Sequence, residues 1–269
     1  PLYCPPKGPQ THQRLRRRRA GFSVPCIVFA LGAQWGYDFS TLSVGHAPDA
    51  QGLALFKCGV IFTQVLAFGG VAVFFARLRG SMRAPLSLRA PRASAQLWLG
   101  PLITIALLPL AQYLMLDADS LRLPEGLAPL ERELEAFEAR YEQLIPILTG
   151  TQLPLNLLFI ALTPAVCEEL LFRGLVQGRL AQAVNGHLAV WLTGLLFSLM
   201  HFQAYGFGAR WLLGVVFGYL AWWSGSLYPA MVGHFTNNAL SALVAYGAYN
   251  GHLPAKAADA HIPVPPGVS

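Results

Sequence analysis

Long apolar segments recur along this chain, and they constrain its fold more than any other feature of the sequence. Each is close to the roughly 20 residues that a helix needs to cross the hydrocarbon core of a bilayer. The segments also lack the alternation of apolar and polar residues that is typical of a transmembrane barrel. We therefore predict about seven spanning helices. They occupy approximately residues 20–37, 52–76, 95–116, 152–175, 187–203, 208–224 and 228–249.

The composition agrees with an all-α, polytopic membrane protein. Of the 269 residues, 54% are hydrophobic and only 12% are charged, whereas a soluble domain carries about 25% charged residues. Gln34 and Trp35 interrupt the first segment, for which an interfacial position is the alternative. The four cysteines show no metal-ligand spacing and are interpreted as small buried hydrophobes.

Basic residues predict the orientation of the chain. Arg14 and 16–19 precede the first segment, and further arginines fill the loop after the second segment without an acidic residue among them. By the positive-inside tendency both regions face the cytoplasm, which places the N-terminus inside. The net charge of +6 then belongs to loops that meet anionic lipid, and nucleic-acid binding is not expected. The arginine-, alanine- and leucine-rich composition favours a bacterial cytoplasmic membrane.

Three further patterns concern packing and boundaries. Residues 127–148 are too charged to span, but their apolar residues recur at helical spacing, which predicts an amphipathic helix on the outer surface. Gly214 and Gly218 predict a close approach between two helices. A short turn at 224–226, flanked by aromatic residues, is predicted at the cytoplasmic interface.

An ionisable cluster stands inside the fourth segment. Glu168, Glu169 and Arg173 would together cost on the order of 9 kcal/mol at the centre of a bilayer if they were unpaired. Glu169 and Arg173 are four residues apart and form an ion pair on one helical face. Glu168 points about 100° away, so it must face a polar cavity or carry a proton. Pro164 bends the same segment and makes a water pocket plausible.

Two later segments add histidines and an amide. His201 follows Phe197 by four residues, and Asn238 follows His234 by four, which puts each pair on one helical face. Together these groups have the parts of a hydrolase: Glu168 can take a proton from water that His201 orients. His234 and Asn238 can donate hydrogen bonds to the oxyanion of a tetrahedral intermediate.

Other interpretations of the same residues stay open at this point. Two histidines and a carboxylate can hold zinc, although the two-histidine metalloprotease spacing is absent. The acidic cluster can be a packing salt bridge, and the histidines and asparagine can be interhelical hydrogen-bonding groups. Cys167 adjoins the acidic pair, but an apolar, structural role is the preferred interpretation. A non-catalytic membrane partner or immunity protein is therefore an alternative to an enzyme.

The ordered set of motifs resembles the CAAX protease and bacteriocin-processing family of intramembrane endopeptidases, also called the ABI family. The motifs are Glu168-Glu169-x-x-x-Arg173, Phe197-x-x-x-His201 and His234-x-x-x-Asn238. The resemblance implies a fold of about seven to eight transmembrane helices around a polar catalytic cavity. It also implies that Glu168 and His201 activate water and that His234 and Asn238 form the oxyanion hole, with Glu169, Arg173 and Phe197 in support.

The resemblance completes the expected organisation and function. We predict a basic segment (1–19), N-terminal membrane helices (20–150), a catalytic membrane domain (151–249) and a flexible tail (250–269). The expected reaction is hydrolysis of a leader or C-terminal peptide at the membrane. It needs no cofactor, with a zinc-dependent protease as the alternative.

Overall fold

The chain folds as a bundle of helices. A computed structural model describes residues 57–78, 86–117, 126, 128–132, 153–201 and 206–253. These residues form helices joined by turns, and no strand occurs among them. The predicted all-α class of a polytopic membrane protein is thus confirmed for the described part of the chain.

The described part of the chain contains six helices of 14 or more residues, which we number in chain order. They are α1 (Lys57–Arg77), α2 (Gln96–Asp117), α3 (Leu153–Ala183), α4 (Gly186–Leu199), α5 (Phe207–Ser224) and α6 (Tyr228–Tyr249). By length and hydropathy, α1, α2 and α3 qualify as membrane spans, and α4 is a shorter apolar helix. Helices α5 and α6 contain 18 and 22 residues and carry polar residues between their apolar ones.

Residue chemistry accounts for several of the helix ends. The Asn185 side chain accepts a hydrogen bond from the backbone N–H of Leu188 and caps α4. Pro229 lies in the first turn of α6, where its missing N–H costs nothing. Gly225 ends α5 with φ at +64°, a left-handed conformation that side-chain-bearing residues rarely adopt.

Helix α3 is not a regular α-helix. Its first and second π-helical stretches, Leu157–Leu162 and Leu170–Gln177, lie on either side of the α-helical Thr163–Glu169. The backbone N–H of Thr163 bonds to the carbonyl of Leu158, five residues back. This shifted register accommodates Pro164, which cannot donate a backbone hydrogen bond. Pro164 was predicted to loosen the backbone beside the acidic pair, and the structure shows this as a π-helical turn.

Small residues let the helices cross at backbone distance. A Cβ added to Gly214 of α5 would lie 2.9 Å from the Cα of Gly194 in α4. One added to Gly100 of α2 would lie 2.3 Å from the carbonyl oxygen of Pro229 in α6. The close approach predicted at Gly214 is confirmed, and it brings the carbonyl groups of α5 within reach of α3.

The loop before α2 packs against the turn between α5 and α6. The Arg89 Nε donates to the carbonyl of Gly225 at 2.7 Å, and the Ser226 hydroxyl donates to the carbonyl of Arg89 at 2.6 Å. The loop before α2 and the turn at 224–226, which were both predicted at the cytoplasmic side, therefore lie at the same end of the bundle. The side of the membrane to which this end belongs stays a prediction.

Other sequence predictions fall outside the described residues. These are the N-terminal basic segment, the first apolar segment and the tail beyond residue 253. Of the predicted amphipathic helix at 127–148, residues 128–132 are described and are helical. The division into domains stays a prediction. Helix α3 continues eight residues beyond the predicted end at 175, whereas α4 ends at Leu199 and not at 203.

The crossing of α4 and α5 gives a stability prediction. We expect Gly214→Ala to destabilise the folded protein by about 1–3 kcal/mol, because the added methyl group meets backbone atoms that cannot move aside. Gly208→Ala is the matched control on the same helix, since a Cβ there meets nothing within 4 Å. Thermal unfolding of the detergent-purified variants measures the difference. Equal midpoints for the two variants would contradict the close packing.

Candidate active site

Helix α3 carries two adjacent glutamates with different surroundings. Glu169 is fully buried, and its Oε1 accepts hydrogen bonds from the Arg173 guanidinium at 2.7 Å and from Nδ1 of His234 at 2.9 Å. Glu168 is 6% exposed, and its Oε1 accepts a hydrogen bond from the side-chain amide of Gln64 at 2.8 Å. The Oε2 of Glu168 is buried and has no hydrogen-bond partner among the described residues. Glu169 thus pairs with Arg173 and His234, whereas the hydrogen-bond donor to Glu168 is a neutral amide.

The predicted ion pair between Glu169 and Arg173 is present and is part of a larger network. A second nitrogen of the guanidinium donates to the carbonyl of Gly214 at 2.7 Å. The guanidinium carbon lies 4.7 Å from the centre of the Phe197 ring and 5.6 Å from that of Phe217. Arg173 therefore connects α3 to α4 and α5 through an ion pair, a hydrogen bond and cation–π contacts.

His234 lies between the two glutamates. Its Nδ1 bonds to Glu169, and its Nε2 is 3.9 Å from Oε2 of Glu168. The imidazole stacks on Phe217 with ring centres 5.3 Å apart, and its edge meets Phe197 at 5.6 Å. These contacts fix the ring plane, so Nε2 stays directed at the space beside Glu168.

His201 lies in the turn that follows α4, and this corrects the prediction that placed it on the helix. The chain leaves the helix at Leu199, and the Ser198 hydroxyl donates to the carbonyl of Phe207 at the start of α5. The Nδ1 of His201 is 2.8 Å from the carbonyl oxygen of Phe197. A carbonyl can only accept a hydrogen bond, so the proton is on Nδ1 and a neutral ring presents the lone pair of Nε2. The imidazole also packs edge-on against the Phe197 ring, with ring centres 4.9 Å apart.

Asn238 is one turn beyond His234 on α6 and is half-buried. Its amide oxygen accepts a hydrogen bond from the side chain of Asn237 at 3.2 Å. An amide donates hydrogen bonds only through its nitrogen, so Nδ2 is the atom with which Asn238 can donate. The structure therefore brings Glu168, Glu169, Arg173, Phe197 and His234 into one contact network. Asn238 is attached to that network through its helix.

Two residues of the site were missed by sequence reasoning. Gln64 is an isolated amide in the apolar segment 52–76, and that isolation was a usable signal, since a polar group in hydrocarbon needs a partner. Phe217 supports both Arg173 and His234. It is one apolar residue among many in its helix, so the sequence held no signal for it.

The described residues do not form a metal site. No three His, Cys, Asp or Glu side chains in this part of the chain are grouped to hold an ion. Nδ1 of His234 is bonded to the Glu169 carboxylate, and Nδ1 of His201 is bonded to the backbone carbonyl of Phe197. The zinc alternative would need both imidazoles and a carboxylate to converge on one point.

A comparison with known proteins assigns the segment that holds these residues. Residues 150–240 match the family model described as Type II CAAX prenyl endopeptidase Rce1-like. We call residues 150–240 the Rce1-like segment after this match. It contains all the site residues predicted from the sequence, which confirms the resemblance to the CAAX protease family. The match leaves the N-terminal helices, including Gln64, outside it.

Similarity to curated proteins is limited to part of the chain. YpbD, an uncharacterized protein of Bacillus subtilis (strain 168), is 30% identical over 94 residues. The aligned stretch covers 32% of this chain and 44% of YpbD, so this chain spans less than half the length of that relative. No solved structure matches the chain.

The buried ion pair of the Rce1-like segment gives a second stability prediction. Arg173→Ala leaves Glu169 with His234 alone and removes the donor to Gly214, so we expect a loss of about 3–5 kcal/mol in the free energy of unfolding. Arg179→Ala is the matched control, because Arg179 is exposed on the same helix. Thermal midpoints and the yield of monodisperse protein measure the effect. If Arg173→Ala were as stable as Arg179→Ala, the network would not hold the bundle together.

Proposed function

We propose that this protein is an intramembrane endopeptidase in which Glu168 activates water for attack on a peptide bond. The observation that carries the proposal is the unpartnered Oε2 of a buried Glu168, 3.9 Å from Nε2 of His234. The match of residues 150–240 to a family of endopeptidases supports it at the family level. The roles of individual residues below are part of the proposal.

The two glutamates are assigned different roles because their contacts differ. Oε1 of Glu169 accepts hydrogen bonds from both Arg173 and His234, so this carboxylate belongs to the network that joins the helices. Oε1 of Glu168 accepts from the Gln64 amide, and its Oε2 lies 3.9 Å from Nε2 of His234 without a hydrogen bond. We therefore assign Glu168 as the general base.

His201 supplies the second contact for the water. Since Nδ1 is bonded to the Phe197 carbonyl, Nε2 of the neutral ring accepts a hydrogen bond. A water molecule that donates one hydrogen to Oε2 of Glu168 and the other to His201 has its lone pairs directed away from both. This arrangement orients the nucleophile toward a carbonyl carbon.

His234 and Asn238 are the donors for the oxyanion. Since Nδ1 of His234 donates to Glu169, donation from Nε2 requires the doubly protonated ring. In that form the charges of Glu168, Glu169, Arg173 and His234 sum to zero, which limits the cost of burying the cluster. The Nδ2 of Asn238 is the second donor, from the next turn of the same helix.

The reaction that these groups support is a balanced hydrolysis. The water oxygen forms a bond to the carbonyl carbon while its proton passes to Glu168, and the carbonyl oxygen becomes the oxyanion. The tetrahedral intermediate then collapses, the carbon–nitrogen bond breaks, and Glu168 returns the proton to the leaving amine. The products are a carboxylic acid and an amine, and no covalent enzyme intermediate forms.

An apolar cavity of about 420 Å³ lies between α3 and α6, the two helices that carry Glu168 and His234. Its lining includes Val166 of α3 and Val232 and Phe235 of α6. Such a cavity suits the hydrocarbon part of a membrane-associated substrate. We therefore propose that this multi-pass protein of a bacterial membrane cleaves a peptide or protein substrate held at the bilayer. CAAX prenyl peptides, the class in the family description, are one candidate and leader peptides are another.

The central test is Glu168→Gln, which keeps the volume of the side chain and removes the base. We expect cleavage to fall by roughly 100-fold to 10,000-fold, the usual contribution of general-base catalysis, while the protein stays folded. The assay uses internally quenched peptides that end in Cys-aliphatic-aliphatic-X, with and without a prenyl group, and matched leader peptides.

The adjacent Cys167→Ala is the control for Glu168→Gln, because Cys167 is buried and its thiol takes no part in the proposed reaction. It should cleave the same peptides within a few-fold of the wild-type rate. Near wild-type activity of Glu168→Gln would refute the glutamate mechanism. Loss of activity in Cys167→Ala alone would point to the thiol.

The metal-free mechanism has its own test. Chelation should leave the rate of peptide cleavage unchanged, and elemental analysis of the active protein should find less than stoichiometric zinc. Both expectations follow from the proposed mechanism, in which Glu168 acts on the water directly and no ion takes part. Stoichiometric zinc whose removal abolishes activity, and whose return restores it, would overturn the proposal in favour of a zinc protease.

A further inference from the structure

Gln64 brings a polar side chain into the site from outside the Rce1-like segment. It belongs to α1 and lies 104 positions before Glu168, yet its Nε2 donates to Oε1 of that carboxylate at 2.8 Å. The contact is made possible by close packing of the two helices. Gly69 of α1 lies against Cys167, where an added Cβ would be 3.1 Å from the sulfur, and Phe68 packs against Phe172.

The nitrogen and the oxygen of the Gln64 amide differ in their hydrogen bonding. The nitrogen is bonded to Glu168, whereas Oε1 is buried and has no hydrogen-bond partner in the described part of the chain. A glutamine that served only to join two helices would gain most from having both ends bonded, because each unpaired buried polar atom costs free energy. An amide kept in an apolar helix with one end unpaired indicates that the bond to Glu168 is what matters.

The bond also determines which oxygen of Glu168 is left for chemistry. With Oε1 held by Gln64, Oε2 is the oxygen directed toward His234. Without this donor the carboxylate could rotate about its terminal torsion, which is broad, and present either oxygen in either direction. A base that is not held in place loses much of its advantage, since the productive geometry is narrow.

We propose that Gln64 is a positioning residue for Glu168, so that α1 completes the active site of the Rce1-like segment. Gln64 does not contact the reacting atoms, and it acts by fixing the orientation of the catalytic carboxylate. This inference rests on the proposed function of Glu168 as the base. It predicts that the segment 150–240 alone is not sufficient for full activity.

The test is Gln64→Met, which keeps the length of the side chain and removes the amide. We expect kcat for the peptide that the wild type cleaves fastest to fall about 10-fold to 100-fold, because one hydrogen bond to a charged group is lost. The KM should stay within about two-fold, since Gln64 does not touch substrate. Leu66→Met is the matched control on the exposed face of the same helix and should leave both constants unchanged.

A second readout does not depend on activity. The infrared difference spectrum between the wild type and Glu168→Gln identifies the carboxylate bands of Glu168, and in Gln64→Met these bands should shift because one oxygen has lost its donor. If Gln64→Met does not fold, Gln64→Asn replaces it. The shorter amide cannot reach Oε1, and the same fall in kcat is expected.

The outcomes separate this inference from the proposed function. An inactive Glu168→Gln together with wild-type kcat and unshifted bands in Gln64→Met, or in Gln64→Asn where that variant replaces it, would overturn the role of Gln64 and leave the glutamate mechanism standing. An active Glu168→Gln would overturn the mechanism, whatever Gln64 does. A rise in KM with unchanged kcat would also overturn the inference, because it would place Gln64 in substrate binding.

Discussion

The ion pair between Glu169 and Arg173 is the interaction on which the rest of the site depends. Two charges in hydrocarbon are tolerated only when they are paired and when their remaining hydrogen-bonding capacity is used. Here Arg173 also donates to the carbonyl of Gly214, and Glu169 also accepts from His234. One pair on α3 therefore fixes the positions of α5 and α6 as well. The bundle packs buried apolar side chains such as Phe217 and Leu227 around this pair, and other large apolar side chains remain exposed on its surface.

The geometry of this centre needs residues that have almost no side chain. Gly214 and Gly218 present their carbonyls to Arg173 and Gln177, which are spaced by the same four residues on the facing helix. A larger residue at either glycine would separate the helices and lengthen both hydrogen bonds. Helix α3 contributes through its own irregularity, since the π-helical stretch Leu170–Gln177 sets the direction in which its polar side chains leave the backbone. The close helix packing and the buried hydrogen bonds therefore depend on each other.

Neighbouring carboxylates with different partners divide structure from chemistry. Glu169 pairs with Arg173 and holds His234, whereas Glu168 accepts a hydrogen bond from an amide and has Oε2 near Nε2 of His234. His234 belongs to both parts, because Nδ1 serves the network and Nε2 faces the proposed reaction space. One nitrogen of this ring therefore holds the network while the other stays available for the proposed reaction. The aromatic rings of Phe197 and Phe217 pack around Arg173 and His234.

The sequence by itself determined the class of fold, the pairing of Glu169 with Arg173 and the identity of the polar residues on α3 and α6. Those features follow from local rules: segment length against bilayer thickness, and side chains four residues apart on one helical face. Only the tertiary structure decided that His234 bonds to Glu169, that His201 lies beyond the end of its helix and that Gln64 reaches Glu168. Each of these depends on how closely separate helices approach and at what rotation. Helix–helix contact in a membrane is set by the shapes of many small surfaces together, and no spacing along one segment encodes it.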